Sequence, residues 1–213
     1  MSRRPGCAVL MTLMLAGPSF AGSIAGQVIM PGPVAGEKRA RPEYAVIWLD
    51  VIPDKLERDL VRGPKRGLFG RRQPPPTPVL SQANGQFEPR VVTVVAGRDL
   101  VLRNADRVWH GVFSVSKPGA FDLGKRAPGK ADTLRFETPG VVALRCELHP
   151  DESAFVVVTA NHASVKAGTE GEWRLPELPA GRYTVRAWAP GREELRREVE
   201  LGKKSSVKLS LRW

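Results

Sequence analysis

Short runs of alternating apolar and polar residues fill most of this chain, and turn residues separate them. Arg90-Val91-Val92-Thr93-Val94-Val95, Asp99-Leu100-Val101-Leu102-Arg103 and Asp132-Thr133-Leu134-Arg135-Phe136 are examples. Ala96-Gly97-Arg98, Gly129-Lys130 and Thr138-Pro139-Gly140 divide them from their neighbours. Successive side chains of a β-strand face opposite ways, so each run predicts a strand with one apolar face. Val108 to Ser114 resumes the pattern after a break at Asn104-Ala105-Asp106, and Phe121 to Gly124 and Phe155 to Thr159 extend it. Val141-Val142-Ala143-Leu144-Arg145-Cys146 is a further run, and it ends at a cysteine. Short strands at this spacing predict a sandwich or barrel over residues 79–160.

The flanks also read as strands. Ser23 to Val28 and Tyr44 to Leu49 are β-like runs within residues 22–52, and residues 161–213 alternate through Tyr183 to Trp188, Leu195 to Val199 and Val207 to Leu211. The chain is therefore predicted to be all-β, with a second small β-sandwich beside the central unit. Residues 53–78 differ: Lys55, Arg58, Arg62, Lys65, Arg66, Arg71 and Arg72 oppose only Asp54, Glu57 and Asp59, and Pro74 to Pro76 is a run of prolines. A short helix is expected over Asp54 to Val61, and the rest reads as a basic, Pro-rich linker or surface loop.

Composition narrows this picture. A hydrophobic content of 42% suffices for packed cores, while 21 Gly and 19 Pro favour turns over long helices. Residues 1–21 read as a secretory leader: Arg3 and Arg4 come first, Cys7 to Leu15 is a short apolar core, and Ser19-Phe20-Ala21 offers small residues for cleavage after Ala21. The apolar core is too short to span a bilayer, and nothing after the first 30 residues has the length and apolarity to do so. The expected location is periplasmic or secreted. Losing Arg3 and Arg4 with the leader would lower the formal charge from +11 to +9. That balance favours acidic partners, and no motif or aromatic platform suggests nucleic acid.

Cys146 is then the only cysteine left. A single thiol in an exported protein is an intermolecular bridge, an inert buried thiol or a metal ligand. Its setting favours the last. Cys146 stands at a strand end and His149 follows three residues later, so a loop folding back can bring both to one point, with His110 as third donor. Two imidazoles, a thiolate and a weak fourth donor form the ligand set of blue copper, although zinc accepts the same groups. His162, among Asn, Ala and Ser, reads as an exposed bystander.

These motifs have a family look. Phe87-Glu88-Pro89 before a Val-rich strand, Asn104-x-Asp106-x-x-x-His110 and Cys146-x-x-His149-Pro150 together resemble the cupredoxins over about residues 79–160. The nearest likeness is to plastocyanin-like proteins often labelled methylamine-utilisation proteins, with a ligand loop similar to that of amicyanin. The resemblance implies a Greek-key β-sandwich or barrel and a single copper ion held by His110, Cys146 and His149. Asn104 would brace the ligand loops through backbone hydrogen bonds. It implies one-electron transfer rather than catalysis, with His149 as the electron port, and the basic segment 53–78 then reads as a docking patch for an acidic redox protein such as a c-type cytochrome.

One position departs from the family. Glu152 stands where the amicyanin-type loop carries an axial Met. A ligating carboxylate is hard and anionic and favours Cu(II), which resembles the red copper site of nitrosocyanin-like proteins. Such a site with an open position beside Glu152 would fit an enzyme or a small-molecule sensor, and a module that stores or delivers copper is a further alternative. A Glu152 turned to solvent would instead leave three ligands and a water. The flanks, through Leu175-Pro176-Glu177-Leu178-Pro179-Ala180-Gly181-Arg182-Tyr183, resemble carboxypeptidase regulatory-like, transthyretin-type sandwiches. That likeness implies that residues 22–52 join the C-terminal segment in one sandwich with the central unit inserted. A tandem arrangement is the alternative.

Overall fold

The computed structural model describes residues 22–33, 39–64 and 72–213. The expected leader lies outside the described residues, as do Lys65, Arg66 and Arg71. In chain order the strands are Ser23–Ile29 (β1), Val46–Leu49 (β2), Val79–Ala83 (β3), Gln86–Glu88 (β4), Val91–Val95 (β5), Asp99–Asn104 (β6), His110–Ser114 (β7) and Phe121–Arg126 (β8). Ala131–Arg135 (β9), Gly140–Cys146 (β10), Ser153–Thr159 (β11), Ser164–Lys166 (β12), Glu172–Arg174 (β13), Gly181–Trp188 (β14), Leu195–Leu201 (β15) and Ser206–Arg212 (β16) follow. The helix Asp54–Arg62 (α1) runs one residue beyond the expected span and ends at Gly63, whose φ of 69° is reached at little cost only without a side chain. The protein is all-β apart from such short helical pieces.

Two sheets, ordered β13-β1-β16 and β12-β2-β14-β15, combine strands from both ends of the chain. Their inner faces enclose a core that includes Ile24, Ile47, Leu49, Trp173, Val185 and Leu211. Close approach is needed at Gly26, where a Cβ would sit 1.8 Å from the Leu209 carbonyl oxygen of parallel β16. Helix α1 packs on this unit through buried Leu56.

The middle of the chain forms the other pair of sheets, β4-β3-β6-β9 and β5-β11-β10-β7-β8. Leu80, Phe87, Leu102, Val112, Leu144 and Val156 fill the space between them. The two units meet through a third apolar cluster of Val46, Trp48, Val91, Val157 and Trp188, with the Phe155 ring 5.1 Å from that of Trp188. Strand period explains the joint. Along β11, Ala154, Val156 and Val158 face the central core while Phe155 and Val157 face the flanking unit. Along β2, Ile47 and Leu49 face one core and Val46 and Trp48 the other. A strand covered on both faces reads as a continuous apolar run, which is how VIWL and AFVVV appear in the sequence.

Candidate metal centre

Strand β10 places Cys146 inward because Val142, Leu144 and Cys146 alternate with outward neighbours. Its end lies against β7, with Cys146 opposite Val112, and His110 opens β7. Beyond Cys146 the loop is held in place by backbone bonds. Glu147 N–H donates to the Gly111 carbonyl at 2.7 Å, and Glu152 N–H donates to the His149 carbonyl at 3.0 Å. The latter closes a turn that returns the chain to β11, so His149 and Glu152 both face back toward Cys146.

The result is a four-donor cluster. Nδ1 of His110 and Nδ1 of His149 lie 3.1 Å apart, and Cys146 Sγ lies 3.6 and 3.5 Å from them. Glu152 places Oε2 3.1 Å from His110 Nδ1 and Oε1 3.3 Å from His149 Nδ1. All four donors fall within 4.8 Å of one another. A tetrahedral set built on nitrogen bonds of about 2.0–2.1 Å and a thiolate bond of about 2.3 Å has donor–donor edges of about 3.3–3.6 Å. The His–His, His–Cys and His–Glu spacings of 3.1–3.6 Å fit a metal ion of that size, while the cluster as a whole spreads to 4.8 Å. Glu152 is 3% exposed and faces the other donors rather than solvent.

Burial decides which edge of the cluster is reachable. His110 is fully buried and Cys146 nearly so, whereas the His149 side chain is 40% exposed. Leu148, its chain neighbour, and Trp109, the neighbour of His110, are exposed as well.

Other residues hold the donors. His110 Nε2 lies 3.3 Å from Asp106 Oδ2, and that carboxylate also accepts the backbone N–H groups of Asn84 and Gly85 at 2.9 and 3.0 Å. The Asn84-Gly85 turn between β3 and β4, both residues at positive φ, aims these donors. The Gly85 N–H holds the Asp106 carboxyl below the usual carboxylate range, with Asn84 and His110 adding to the effect. A carboxylate on the far nitrogen of a ligating histidine fixes ring orientation and tautomer. Asn104 donates from Nδ2 to the carbonyls of Val108 and Arg126 at 2.9 and 3.1 Å and accepts the Asp106 N–H at 3.0 Å. It thereby ties the loop before His110 to β8.

The sequence reading did not identify Gln82. This residue is fully buried on β3, and its Nε2 donates to Glu152 Oε2 at 3.0 Å. The available signal was a polar residue at an inward position, two after Leu80, in an otherwise apolar alternation. His162 also differs from expectation. Its side chain is only 15% exposed and lies 2.5 Å from Glu57 Oε1, while its backbone N–H donates to Glu57 Oε2 at 3.0 Å. It ties α1 to the segment after β11 and takes no part in the four-donor cluster.

No protein-family model and no curated protein matches the chain. Similar solved structures include an oxidised single-residue variant of amicyanin, at 24% identity over 38% of this chain and 81% of that one, with a TM-score of 0.36. A reduced amicyanin variant is similar at 25% identity with the same coverage and TM-score. A purple cupredoxin from Nitrosopumilus maritimus is similar at 21% identity over 38% of this chain and 99% of that one, with a TM-score of 0.34.

Proposed function

We propose that this protein carries single electrons on one copper ion held by His110, Cys146, His149 and Glu152. The observation that carries the reading is the convergence of two imidazole nitrogens, one sulfur and one carboxylate on a volume the size of a metal ion. Affinity of nitrogen and sulfur sites rises to copper and falls again at zinc, which favours copper where both are present. Bound copper supplies the Cu(II)/Cu(I) couple. The rest of the work belongs to the chain. Cys146 contributes a soft anionic sulfur, Asp106 fixes the His110 ring, and strands β7 and β10 limit movement of the donors between redox states. His149 presents the exposed edge through which an electron reaches a partner.

Glu152 makes the donor set like that of red copper rather than ordinary blue copper. With thiolate and carboxylate both anionic, the oxidised centre is neutral and the reduced centre carries one negative charge. This arrangement favours Cu(II) and a low potential. We further propose that the protein acts outside the cytoplasm with an acidic redox protein, such as a c-type cytochrome, as partner. The support for the location is the leader-like pattern of residues 1–21, and for the partner the net positive charge and the exposed Lys55, Arg58 and Arg62 on α1.

The test is the optical spectrum of the full chain loaded with Cu(II), followed by reduction in the presence of a moderate Cu(I) chelator. An intense thiolate-to-copper band, insensitive to azide, and metal retained after reduction are expected. Absence of the band would overturn the site. Rapid loss of Cu(I) would convert the reading to copper delivery, and a spectrum altered by azide would point to an open position.

A further inference from the structure

Gln82 is a polar side chain where the fold calls for an apolar one. On β3 the inward positions are Leu80 and Gln82, both fully buried, and the strands on either side place Phe87 and Asn104 opposite Gln82. A buried amide is costly unless its hydrogen-bonding capacity is met. Here half of it is not: Nε2 donates to Glu152 Oε2 at 3.0 Å, but Oε1 is buried without a hydrogen-bond partner. Leucine of similar volume would leave no orphaned acceptor. The position is thus poorly chosen for stability and well chosen for one contact, made across 70 residues to the loop that carries His149 and Glu152.

We infer that Gln82 is a positioning residue that sets the reduction potential of the centre by holding the Glu152 carboxylate. The inference rests on the copper reading above and assigns a role within that same site. A hydrogen bond to a charged acceptor strengthens as the acceptor keeps more of its charge. When the metal is oxidised, it draws electron density from the carboxylate and weakens its bond to the Gln82 N–H. When the metal is reduced, the carboxylate is more anionic and the bond is stronger. The Gln82 amide therefore stabilises the reduced state more than the oxidised state and raises the potential against the pull of Glu152. It also fixes the carboxylate plane, so that Oε1 and Oε2 meet His149 and His110 from defined sides.

The experiment is a redox titration of copper-loaded full-length protein carrying Gln82→Leu, with Gln82→Met as a second variant of the same reach and no donor. Each is repeated in a Glu152→Gln background. Both single variants are expected to shift the one-electron equilibrium toward the oxidised state by about threefold to tenfold, which is about 28–59 mV. They should also move the visible band, because the Glu152 carboxylate, freed of the Gln82 hydrogen bond, would be a stronger donor. In the Glu152→Gln background the same substitutions should leave the potential unchanged, since the charge on which Gln82 acts is gone. The metal-free Gln82→Leu protein should melt no lower than the wild type.

An unmoved potential in both variants, or an equal shift with and without Glu152, overturns the assignment. So does a Leu variant that fails to fold beside a Met variant of normal potential, because Gln82 would then serve packing alone. A wild type without a thiolate-to-copper band defeats the copper reading and this inference with it. A wild type with the band and variants of unmoved potential defeat only the role of Gln82.

Discussion

Replacing Glu152 with methionine exchanges a buried anion for a neutral soft donor of similar length, and the structure allows the effect to be sized. The two carboxylate oxygens lie 3.1 and 3.3 Å from the imidazole donors of the same cluster. Taking about 3.2 Å as the distance between the carboxylate charge and the transferred electron, the interaction at an effective dielectric of about 20 is about 5 kcal/mol. At about 1.36 kcal/mol per tenfold this is between three and four decades in the redox equilibrium, or about 200 mV for one electron. The Gln82 N–H already offsets part of that charge. A rise of about 100–200 mV on Glu152→Met is therefore the expected result, on the scale of about 59 mV per decade. Spectroelectrochemical titration measures it directly, and the absorption should move toward that of an ordinary blue site. A change below about 30 mV, half a decade, with an unaltered spectrum would show that the carboxylate does not meet the metal. The reasoning from its burial among the donors would then be wrong.

Three further outcomes are expected. Cys146→Ser should abolish the thiolate-to-copper band, whereas His162→Ala should leave the spectrum intact but lower stability by about 1–3 kcal/mol in chemical denaturation, because it removes a hydrogen bond to the Glu57 carboxylate. A His162 variant that lost the metal, or a His110 variant that kept it, would reverse the assignment of ligands. Electron exchange with an acidic partner should slow as salt rises, since attraction is screened over about 8 Å at physiological ionic strength. Stopped-flow rates independent of salt would remove α1 from the docking surface.

The sequence showed what depends on local pattern. Period-two alternation marked the strands, and the spacing of Asn104, His110, Cys146 and His149 marked the cluster, because a strand end and a tight loop fix where such residues point. Boundaries moved where packing decided them. β7 begins at His110 rather than Val108, leaving Val108 and Trp109 exposed in the bend before it. β8 continues to Arg126, whose buried guanidinium is paired with Asp132 and pushed below its usual pKa range by burial. What the sequence hid was non-local. His162 looked exposed because its partner Glu57 lies 105 residues earlier. Asp106 stood within a recognised motif, but its hydrogen bonds come from the Asn84-Gly85 turn of a different hairpin. Gln82 was visible only as an oddity, and nothing in its neighbourhood named Glu152 as the acceptor.

These hidden contacts share a direction. Asp106 and Gln82 each take hold of a member of the four-donor cluster from the sheet β4-β3-β6-β9 or the turns at its edge, while the donors come from β7, β10 and the loop that follows β10. The centre is therefore gripped between the two sheets of the central unit rather than carried by one loop. That would suit the proposed electron transfer, because a donor set held from both sides changes little in geometry when its charge changes. His110, braced by Asp106, Glu152, braced by Gln82, and Cys146 at the end of β10 are the buried members, and the exposed member, His149, is held by the backbone of its own loop. On the proposed copper reading, the buried half would set which redox state is favoured, and the exposed half which partner is reached. A substitution at Gln82 or Glu152 should accordingly move the potential with little effect on partner affinity, whereas changes at Leu148 or Trp109 should do the reverse.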